Sequence, residues 1–239
     1  MQVLQVKRLI KAKRENARVF VAGCGTSGAA AKRISHTLSC IEIPGIFLSP
    51  ADAPHGAMGM IQPGDVVVLI TKGGNTPEIL NYVPCCKDKG ATIIGVTHNP
   101  ESILAGACDI PLILDTGEEP CPWKMMPCAS TLGVIAAFDA IILAAMRLSG
   151  FTREQFLRIH PGGATGETLR AAYPGFVDRV DGNTLVMTSG LRLTIDDGRV
   201  KTFDQRLADP DLEDMFADPY PRGAKVTPPA KDVDPGRYR

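Results

Sequence analysis

The regular alternation of short apolar runs with longer helical patterns between Arg18 and Arg158 constrains the fold more than any other feature. The runs VVVLIT and TIIGVT are apolar without alternation, which is typical of strands covered on both faces. Strands of this kind alternating with helices predict an α/β fold with a parallel sheet. The predicted strands are residues 18–22, 43–48, 66–71, 92–97 and 110–114.

The predicted helices flank these strands, and their order locates the loops that carry chemistry. Ligands of open α/β sheets bind beyond the carboxyl ends of the strands. The loops at that edge are GCGTSG, SPADAPHGAMG, TKGGNTPE, THNPES and DTGEEPCP. The predicted helices are residues 1–16, 28–40, 76–89, 101–108, 129–148 and 152–159.

The C-terminal part of the chain has a different pattern. Residues 183–188, 190–195 and 199–203 predict a small β-meander, with turn signals at Ser189-Gly190 and Asp196-Asp197-Gly198. After Asp209 a run rich in Pro and Asp lacks periodicity, and it is either a tail that wraps a neighbour or a disordered end. We therefore predict three regions: residues 1–168, the appendage 169–208 and the tail 209–239.

Composition and charge limit the possible functions. The 239 residues are 44% hydrophobic and 22% charged, which is typical of a globular chain. Lys+Arg and Asp+Glu both number 26, so no overall field favours nucleic acid or acidic lipid, and any anion site must be local. The apolar runs are interrupted and shorter than the roughly 20 residues of a membrane span, so we expect neither a membrane anchor nor a secretory signal.

The seven cysteines are an odd number and none of them forms a CxxC pair. We expect reduced thiols in cytoplasm, most of them small buried packing residues. This expectation of a packing role includes Cys121 and Cys128, which flank the loops described below, because no cation is arranged locally to activate either thiol. No metal-ligand spacing occurs among His, Cys, Asp and Glu, and we expect no metal.

The first candidate loop, Gly23 to Gly28, follows a strand and opens a helix. Its backbone N–H groups and the helix dipole can receive an anion. The loop also matches GxGxxG, but a dinucleotide site needs an acid about 20 residues further on. Only Glu42 and Asp52 bracket that place, so a nicotinamide-dependent enzyme remains a weaker hypothesis.

Two further loops favour a phosphate ligand. In Thr71 to Glu78, Thr76 is a candidate N-cap, Pro77 fits the first helical position and Lys72 supplies a cation. Ser130-Thr131 is a third hydroxyl cluster at a helix start. Three such helix starts can converge on one phosphate, or each hydroxyl can simply cap its own helix.

At this point the sequence resembles the sugar isomerase (SIS) domain family, most closely its arabinose-5-phosphate isomerase branch. The resemblance covers about residues 17–167 and consists of six ordered motifs. They are GCGTSG, the segment from Pro50 to Val67 with His55-Gly56 and Gly59-Met60-Ile61, TKGGNTPEI, Thr97 with Pro100-Glu101-Ser102, Glu119-Pro120-Cys121-Pro122 with Pro127 and Ser130-Thr131, and Gly150-Phe151-Thr152 with His160 to Gly166.

The resemblance implies a five-stranded parallel sheet flanked by helices, a homodimer or homotetramer with sites between subunits, and isomerisation or binding of phosphosugars without a cofactor. The phosphate-binding residues that follow from it, with the glycines and neighbours of the same loops, are Gly25, Thr26, Ser27, Thr71, Gly74, Asn75, Thr76, Ser130 and Thr131. The residues that match the family's active-site positions are His55, Glu119 and His160, and we add Lys72 as a further candidate from this chain's own sequence.

The chain departs from the pattern of this branch at several positions. Thr26 replaces a Lys, Asn75 replaces a Glu, and Gly73 replaces a Ser, with Lys72 beside it as a substitute cation. The paired CBS domains of the branch have no counterpart, and the β-meander and tail follow instead. A non-catalytic phosphosugar-binding protein is therefore the alternative to an isomerase.

Aldose–ketose isomerisation moves a proton between C1 and C2 through an enediol, and it needs a base, an acid and a phosphate anchor. We expect His55 and Glu119 to transfer the proton, His160 to assist ring opening and Lys72 to supply positive charge. Glu118 is the alternative candidate for the role of Glu119. His98 ends a strand, where it faces the site or serves an ordinary turn, and His36 is expected to be structural.

Overall fold

The computed structural model describes residues 3–171, 177–187, 192–196 and 199–204. The chain divides into two compact units, Met1–Thr152 and Arg153–Arg239. The predicted tail, residues 209–239, lies outside the described residues. The predicted boundary at residue 168 stays a prediction.

The first unit contains a five-stranded parallel sheet in the order β2-β1-β3-β4-β5. All five strands occur where the sequence predicts them. Their bounds are β1 Val19–Gly23, β2 Gly45–Phe47, β3 Val66–Ile70, β4 Thr92–Thr97 and β5 Ile110–Ile113. The helices of this unit are α1 Val3–Arg14, α2 Gly25–Ser39, α3 Pro77–Leu80, α4 Tyr82–Asp88, α5 Ile103–Ala107 and α6 Ala129–Leu148, with two 3-10 helices at Ala53–His55 and Ala57–Met60.

Both faces of this sheet are covered, which explains why the central strands lack polar alternation. Successive residues of β3 enter opposite cores: Val66, Val68 and Ile70 pack on one side, and Val67 and Leu69 on the other. The first core includes residues of α1, α2 and α6, and the second includes residues of α4 and α5. The predicted α/β class with a parallel sheet is confirmed.

The glycines of the first loop allow the start of α2 to lie close to the end of β1. A Cβ added at Gly23 would lie 2.6 Å from the carbonyl of Ser27, and one at Gly28 would lie 2.7 Å from the carbonyl oxygen of Gly23. Gly25 has a φ of +56°, in the left-handed region. These glycines are therefore explained by strand–helix packing, and α2 begins three residues earlier than the predicted start at residue 28.

The predicted single helix over residues 76–89 is wrong, because two helices occupy this segment. α3 ends at Leu80 and α4 begins at Tyr82. Pro84 has no N–H to donate to the carbonyl of Leu80, and its ring crowds that carbonyl, so a continuous helix is disfavoured. The sequence contained this signal.

Helix α6 has 20 residues and is apolar enough to span a membrane by length and composition alone. The sequence analysis expected no segment of that length, because it considered only uninterrupted apolar runs. One face of the helix belongs to the core, through Val134, Phe138, Ile141, Ile142 and Ala145. Core helices of α/β proteins share this composition, so length and hydropathy do not separate the two cases.

The second unit contains α7 Arg153–Ile159 and α8 Gly163–Ala171, followed by an antiparallel sheet in the order β6-β7-β8-β9. The strands are Val177–Asp181, Thr184–Met187, Arg192–Asp196 and Arg199–Asp204. The predicted meander strands correspond to β7, β8 and β9. The predicted turns at Ser189-Gly190 and Asp197-Gly198 lie outside the described residues. Sequence reasoning missed α8 and β6.

All seven cysteines are free, as expected. Their predicted burial is wrong for most of them, since only Cys86 is buried and the other six are half-buried. Several of these thiols lie in loops or near helix ends rather than in the sheet. The two cores on the faces of the sheet are filled mainly by apolar side chains.

Candidate functional site

A cleft opens at the carboxyl ends of β3 and β4, the edge at which the sequence places the chemistry. The starts of α2 and α6 and the loops after β3 and β4 form its walls. The lining residues are Thr26, Ser27, Ala30, Ile70, Lys72, Val96, His98, Pro127, Ser130, Thr131 and Val134.

An ion pair at the cleft joins two loops that are distant in sequence. Lys72 Nζ lies 2.6 Å from Glu119 Oε1. The Glu119 side chain is 1% exposed and the Lys72 side chain is 42% exposed, so the ammonium reaches the cleft while the carboxylate is buried behind it.

Glu119 also holds the start of α6. Its Oε2 accepts hydrogen bonds from the backbone N–H groups of Cys128 (2.8 Å) and Ala129 (2.9 Å), and Ser130 Oγ donates to Oε1. A carboxylate at a helix N-terminus is favoured by the helix dipole and by the free N–H groups there. Glu119 therefore occupies the anion position that this helix start would otherwise offer.

These contacts stabilise the charged form of the carboxyl. The hydrogen bond from Lys72, and then the one from Ser130, lower the pKa of Glu119 to about 2, although burial opposes the shift. A carboxylate with this pKa is a weak base while the contacts persist. It gains basicity only when Lys72 moves towards another anion.

The start of α2 remains open to a ligand. Its N-cap residue, Cys24, makes no side-chain cap hydrogen bond, and the backbone hydrogen bonds of the helix begin with the one from Gly28 N to Cys24 O. The backbone N–H groups of Gly25, Thr26 and Ser27 thus have no acceptor within the helix. Thr26 and Ser27 line the cleft.

Four of the hydroxyl groups predicted to bind phosphate, those of Thr71, Thr76, Ser130 and Thr131, have partners within the protein. Thr71 Oγ1 and Thr76 Oγ1 share a hydrogen bond of 2.7 Å, and neither residue lines the cleft. Thr131 Oγ1 donates to the carbonyl of Pro127 (2.7 Å), and Ser130 is bonded to Glu119. The alternative that each hydroxyl caps its own helix is not what occurs, since α3 and α6 have no side-chain cap hydrogen bond.

Two predicted phosphate-binding residues have structural contacts instead of lying in the cleft lining. Asn75 Oδ1 accepts a hydrogen bond from Ile103 N (3.0 Å) at the start of α5. Gly74 has a φ of +73°, and a Cβ there would collide with Ser102 Oγ. These contacts join the loop after β3 to the start of α5.

The predicted histidines lie in different units of the chain, and His55 is not among the residues that line the cleft. His55 is exposed and ends a 3-10 helix. His160 belongs to the second unit, where its ring stacks on Phe156 with centroids 4.0 Å apart. Glu118, the alternative candidate for the role of Glu119, is exposed, and its Oε2 lies 2.6 Å from Lys124 Nζ.

The structure brings one histidine to the cleft that the sequence left undecided. His98 lines the cleft, its Nδ1 lies 3.4 Å from Thr116 Oγ1, and its Nε2 is shielded from solvent without a hydrogen-bond partner among the described residues. Burial lowers the pKa of His98, Lys72 lowers it further, and Glu119 and Asp115 oppose the shift. Its position at the end of β4 was the signal, because carboxyl-end residues of neighbouring strands converge.

The chain belongs to the SIS domain family, whose model matches residues 13–144. The class of protein that the fold defines is thus an α/β protein of the SIS family, and the resemblance stated from the sequence is confirmed.

Among curated proteins, the chain is 43% identical over 152 residues to arabinose 5-phosphate isomerase KdsD of Pseudomonas aeruginosa, a match that covers 64% of this chain and 47% of the relative. The chain thus spans about half of the length of such curated relatives.

Two solved structures show the same fold at higher coverage. A putative sugar-phosphate isomerase from Listeria monocytogenes is 48% identical with a TM-score of 0.65, over 67% of this chain and 83% of its own. A protein from Escherichia coli CFT073 in complex with arabinose 5-phosphate is 30% identical with a TM-score of 0.59, over 67% of this chain and 92% of its own.

Proposed function

We propose that this protein is a phosphosugar aldose–ketose isomerase and that arabinose 5-phosphate is the first substrate to test. The observation that carries this proposal is the Lys72–Glu119 ion pair at a cleft whose wall includes the uncapped start of α2. Cation, carboxylate and helix start together supply an anion anchor and a titratable group at one place. The name of the curated relative supports arabinose 5-phosphate as the candidate.

The phosphate group binds at the start of α2 in this proposal. The free N–H groups of Gly25, Thr26 and Ser27 donate to its oxygens, and Lys72 contributes positive charge. Ser130 and Thr131 also line the cleft, and their hydroxyl groups reach the ligand by exchanging their present acceptors. The start of α6 is not the anchor, because Glu119 already occupies it.

Proton transfer follows from phosphate binding. When Lys72 turns towards the phosphate, Glu119 loses the contact that most lowers its pKa and becomes a better base. Glu119 then removes the proton next to the carbonyl, and the resulting enediol is reprotonated at the neighbouring carbon. Lys72 stabilises the oxygen on which negative charge develops. His55 shares the proton transfer and His160 assists ring opening.

A homo-oligomer completes the site in this proposal. His55 is exposed and lies outside the cleft lining, so it reaches substrate only from a partner subunit. Helix α6 offers an apolar surface for association, since Leu132, Leu143 and Leu148 are 66%, 63% and 65% exposed. Dimer and tetramer both satisfy this requirement.

We further propose a cytoplasmic protein that binds neither nucleic acid nor membrane. Equal numbers of acidic and basic residues and seven free cysteines support this assignment. Cell fractionation that placed the protein in the membrane or outside the cell would contradict it.

The second candidate function is phosphosugar binding without catalysis. Thr26 is a hydroxyl where the isomerase branch has a cation, and the Asn75 side chain is occupied by the start of α5. Such a protein keeps the phosphate anchor and lacks turnover.

Calorimetry with three ligands tests the proposal: arabinose 5-phosphate, arabinose and inorganic phosphate. Charge-assisted hydrogen bonds contribute about 1.5–3 kcal/mol each, so arabinose should bind at least about a hundredfold more weakly than its phosphate. NMR of the bound sugar phosphate then separates the two functions, since conversion to the ketose indicates an isomerase. Equal affinity for arabinose and its phosphate would reject both.

A further inference from the structure

The Nε2 atom of the His98 imidazole is the feature of the cleft that the proposed mechanism does not use. Its Nε2 is shielded from solvent and has no hydrogen-bond partner among the described residues. A buried polar atom without a hydrogen-bond partner is destabilising, so such an atom indicates a position where a ligand or water can bind. We propose that His98 is a further substrate-contacting residue, whose uncharged imidazole forms a hydrogen bond through Nε2 with a hydroxyl or carbonyl oxygen of the bound sugar.

The position of His98 agrees with this role. It follows the buried strand β4 directly, and its backbone N–H donates to the carbonyl of Lys72 at 2.9 Å. The loops after β3 and β4 are thereby held side by side. His98, Lys72, Ser130 and Thr131 all line the cleft, together with Thr26 and Ser27 of α2. A phosphate at the start of α2 therefore leaves the sugar carbons within the same cleft as His98.

The surroundings of His98 keep its ring neutral. Burial is the main cause of its lowered pKa, and the Lys72 ammonium acts in the same direction. Two carboxylates act in the opposite direction and raise the pKa of His98. Glu119 is buried and paired with Lys72, and Asp115 is exposed. A neutral imidazole can donate or accept at Nε2, depending on its tautomer, and so suits either a hydroxyl or a carbonyl oxygen.

Access to Nε2 requires a small rearrangement of the cleft. Because Nε2 is shielded from solvent, either the exposed Lys72 side chain or the ring itself must shift when the sugar binds. The proposed mechanism already moves Lys72 from Glu119 towards the phosphate. The same movement would uncover the imidazole, so phosphate binding and sugar contact become coupled.

This inference rests on the proposed function, and its test compares His98→Phe with His98→Gln. Phenylalanine keeps the ring volume without a hydrogen bond, and glutamine can place an amide near the position of Nε2. We expect His98→Phe to weaken arabinose 5-phosphate binding by about threefold to tenfold, the range of one neutral hydrogen bond. His98→Gln should restore most of that affinity. The exposed His36 on α2 provides the control variant, His36→Phe, which should change nothing.

Binding of inorganic phosphate separates a substrate contact from a structural role. Phosphate affinity should be equal in the wild type and His98→Phe, because phosphate is held by α2 and Lys72. Equal losses of phosphate and sugar phosphate affinity would overturn the inference in favour of a structural histidine. Unchanged sugar phosphate affinity in His98→Phe would overturn it alone, with the proposed function intact. A wild type that binds neither arabinose 5-phosphate nor other pentose, hexose and heptose phosphates would overturn both.

Discussion

Glu119 makes more of the site's contacts than any other side chain described above. Its two carboxylate oxygens join the loop after β3, through Lys72, to the start of α6, through two backbone N–H groups and Ser130. One residue therefore holds two walls of the cleft together. Because it is nearly fully buried, replacing it leaves Lys72 and the helix start without their shared anion.

Acid unfolding tests the charge of Glu119. The folded pKa of about 2 is below the ordinary value of 4.5, so the stability contributed by this carboxylate is fully present above pH 4.5 and is lost as the pH falls through about 2. Urea unfolding of the wild type and Glu119→Gln should therefore differ most at neutral pH, with the difference shrinking between pH 4.5 and pH 2. A difference independent of pH would show that the carboxylate is not held in its charged form.

Lys72 acts in both binding and catalysis according to the proposed mechanism. Lys72→Ala should raise the dissociation constant for arabinose 5-phosphate and also lower kcat, because the cation contacts the phosphate and the developing charge. Glu119→Gln should instead lower kcat by at least about 10²-fold, the lower end of general base catalysis, with binding nearly unchanged. Steady-state kinetics and calorimetry on both variants measure this difference. Near wild-type turnover in Glu119→Gln would exclude Glu119 as the base.

At the scale of the elements, α6 has one face in the core and another at the surface. Phe138 is fully buried among residues of α1, α2 and the sheet, whereas Leu132 is 66% exposed. Phe138→Ala should lower the free energy of unfolding by about 3–5 kcal/mol, because it leaves a cavity. The control, Ile103→Ala on α5, changes a side chain that is 61% exposed and lies outside the proposed association surface, so it should lower the free energy of unfolding by well under about 1 kcal/mol. Urea unfolding of both variants at one protein concentration tests this, and similar losses would contradict the described burial of the helix.

Elements specified by local signals were predictable from the sequence. The five parallel strands are apolar runs bounded by loops, and α6 is a long apolar segment, so periodicity and length suffice to place them. The break between α3 and α4 was also encoded, by Pro84, and was overlooked. Helix α8 and strand β6 were missed because the Gly-rich and short polar segments that form them carry weak local signals.

The site was predictable only in part, because convergence depends on distant contacts. The sequence placed Thr26, Ser27, Lys72, Ser130 and Thr131 at one edge of the sheet, and all five line the cleft. The carboxylate of Glu119 was assigned as a base, and nothing local to its sequence indicates that it also holds the start of α6. Thr71 and Thr76 were predicted to bind phosphate, but their hydroxyl groups form a hydrogen bond with each other. No sequence pattern specifies the side-chain orientations that allow this bond.

At the scale of the whole molecule, the proposed mechanism requires more than one copy of the chain. The exposed position of His55 and the exposed leucines of α6 lead to this expectation. Light scattering at micromolar concentration should therefore return two or four times the 25.5 kDa mass of the chain. Leu143→Asp, on the exposed face of α6, should shift the mass towards that of one chain. A 25.5 kDa particle for the wild type would exclude a site shared between subunits.

The central claim is that the cleft isomerises a phosphosugar through an enediol, and the most direct measurement is NMR of arabinose 5-phosphate incubated with the protein in D₂O. Proton transfer through a base that exchanges with solvent should give the corresponding ketose phosphate with deuterium on the reacting carbon. Glu119→Gln under the same conditions should form it at least about 10²-fold more slowly. The claim would be contradicted by a wild-type protein that binds arabinose 5-phosphate and other pentose, hexose and heptose phosphates yet leaves them all unchanged and without deuterium.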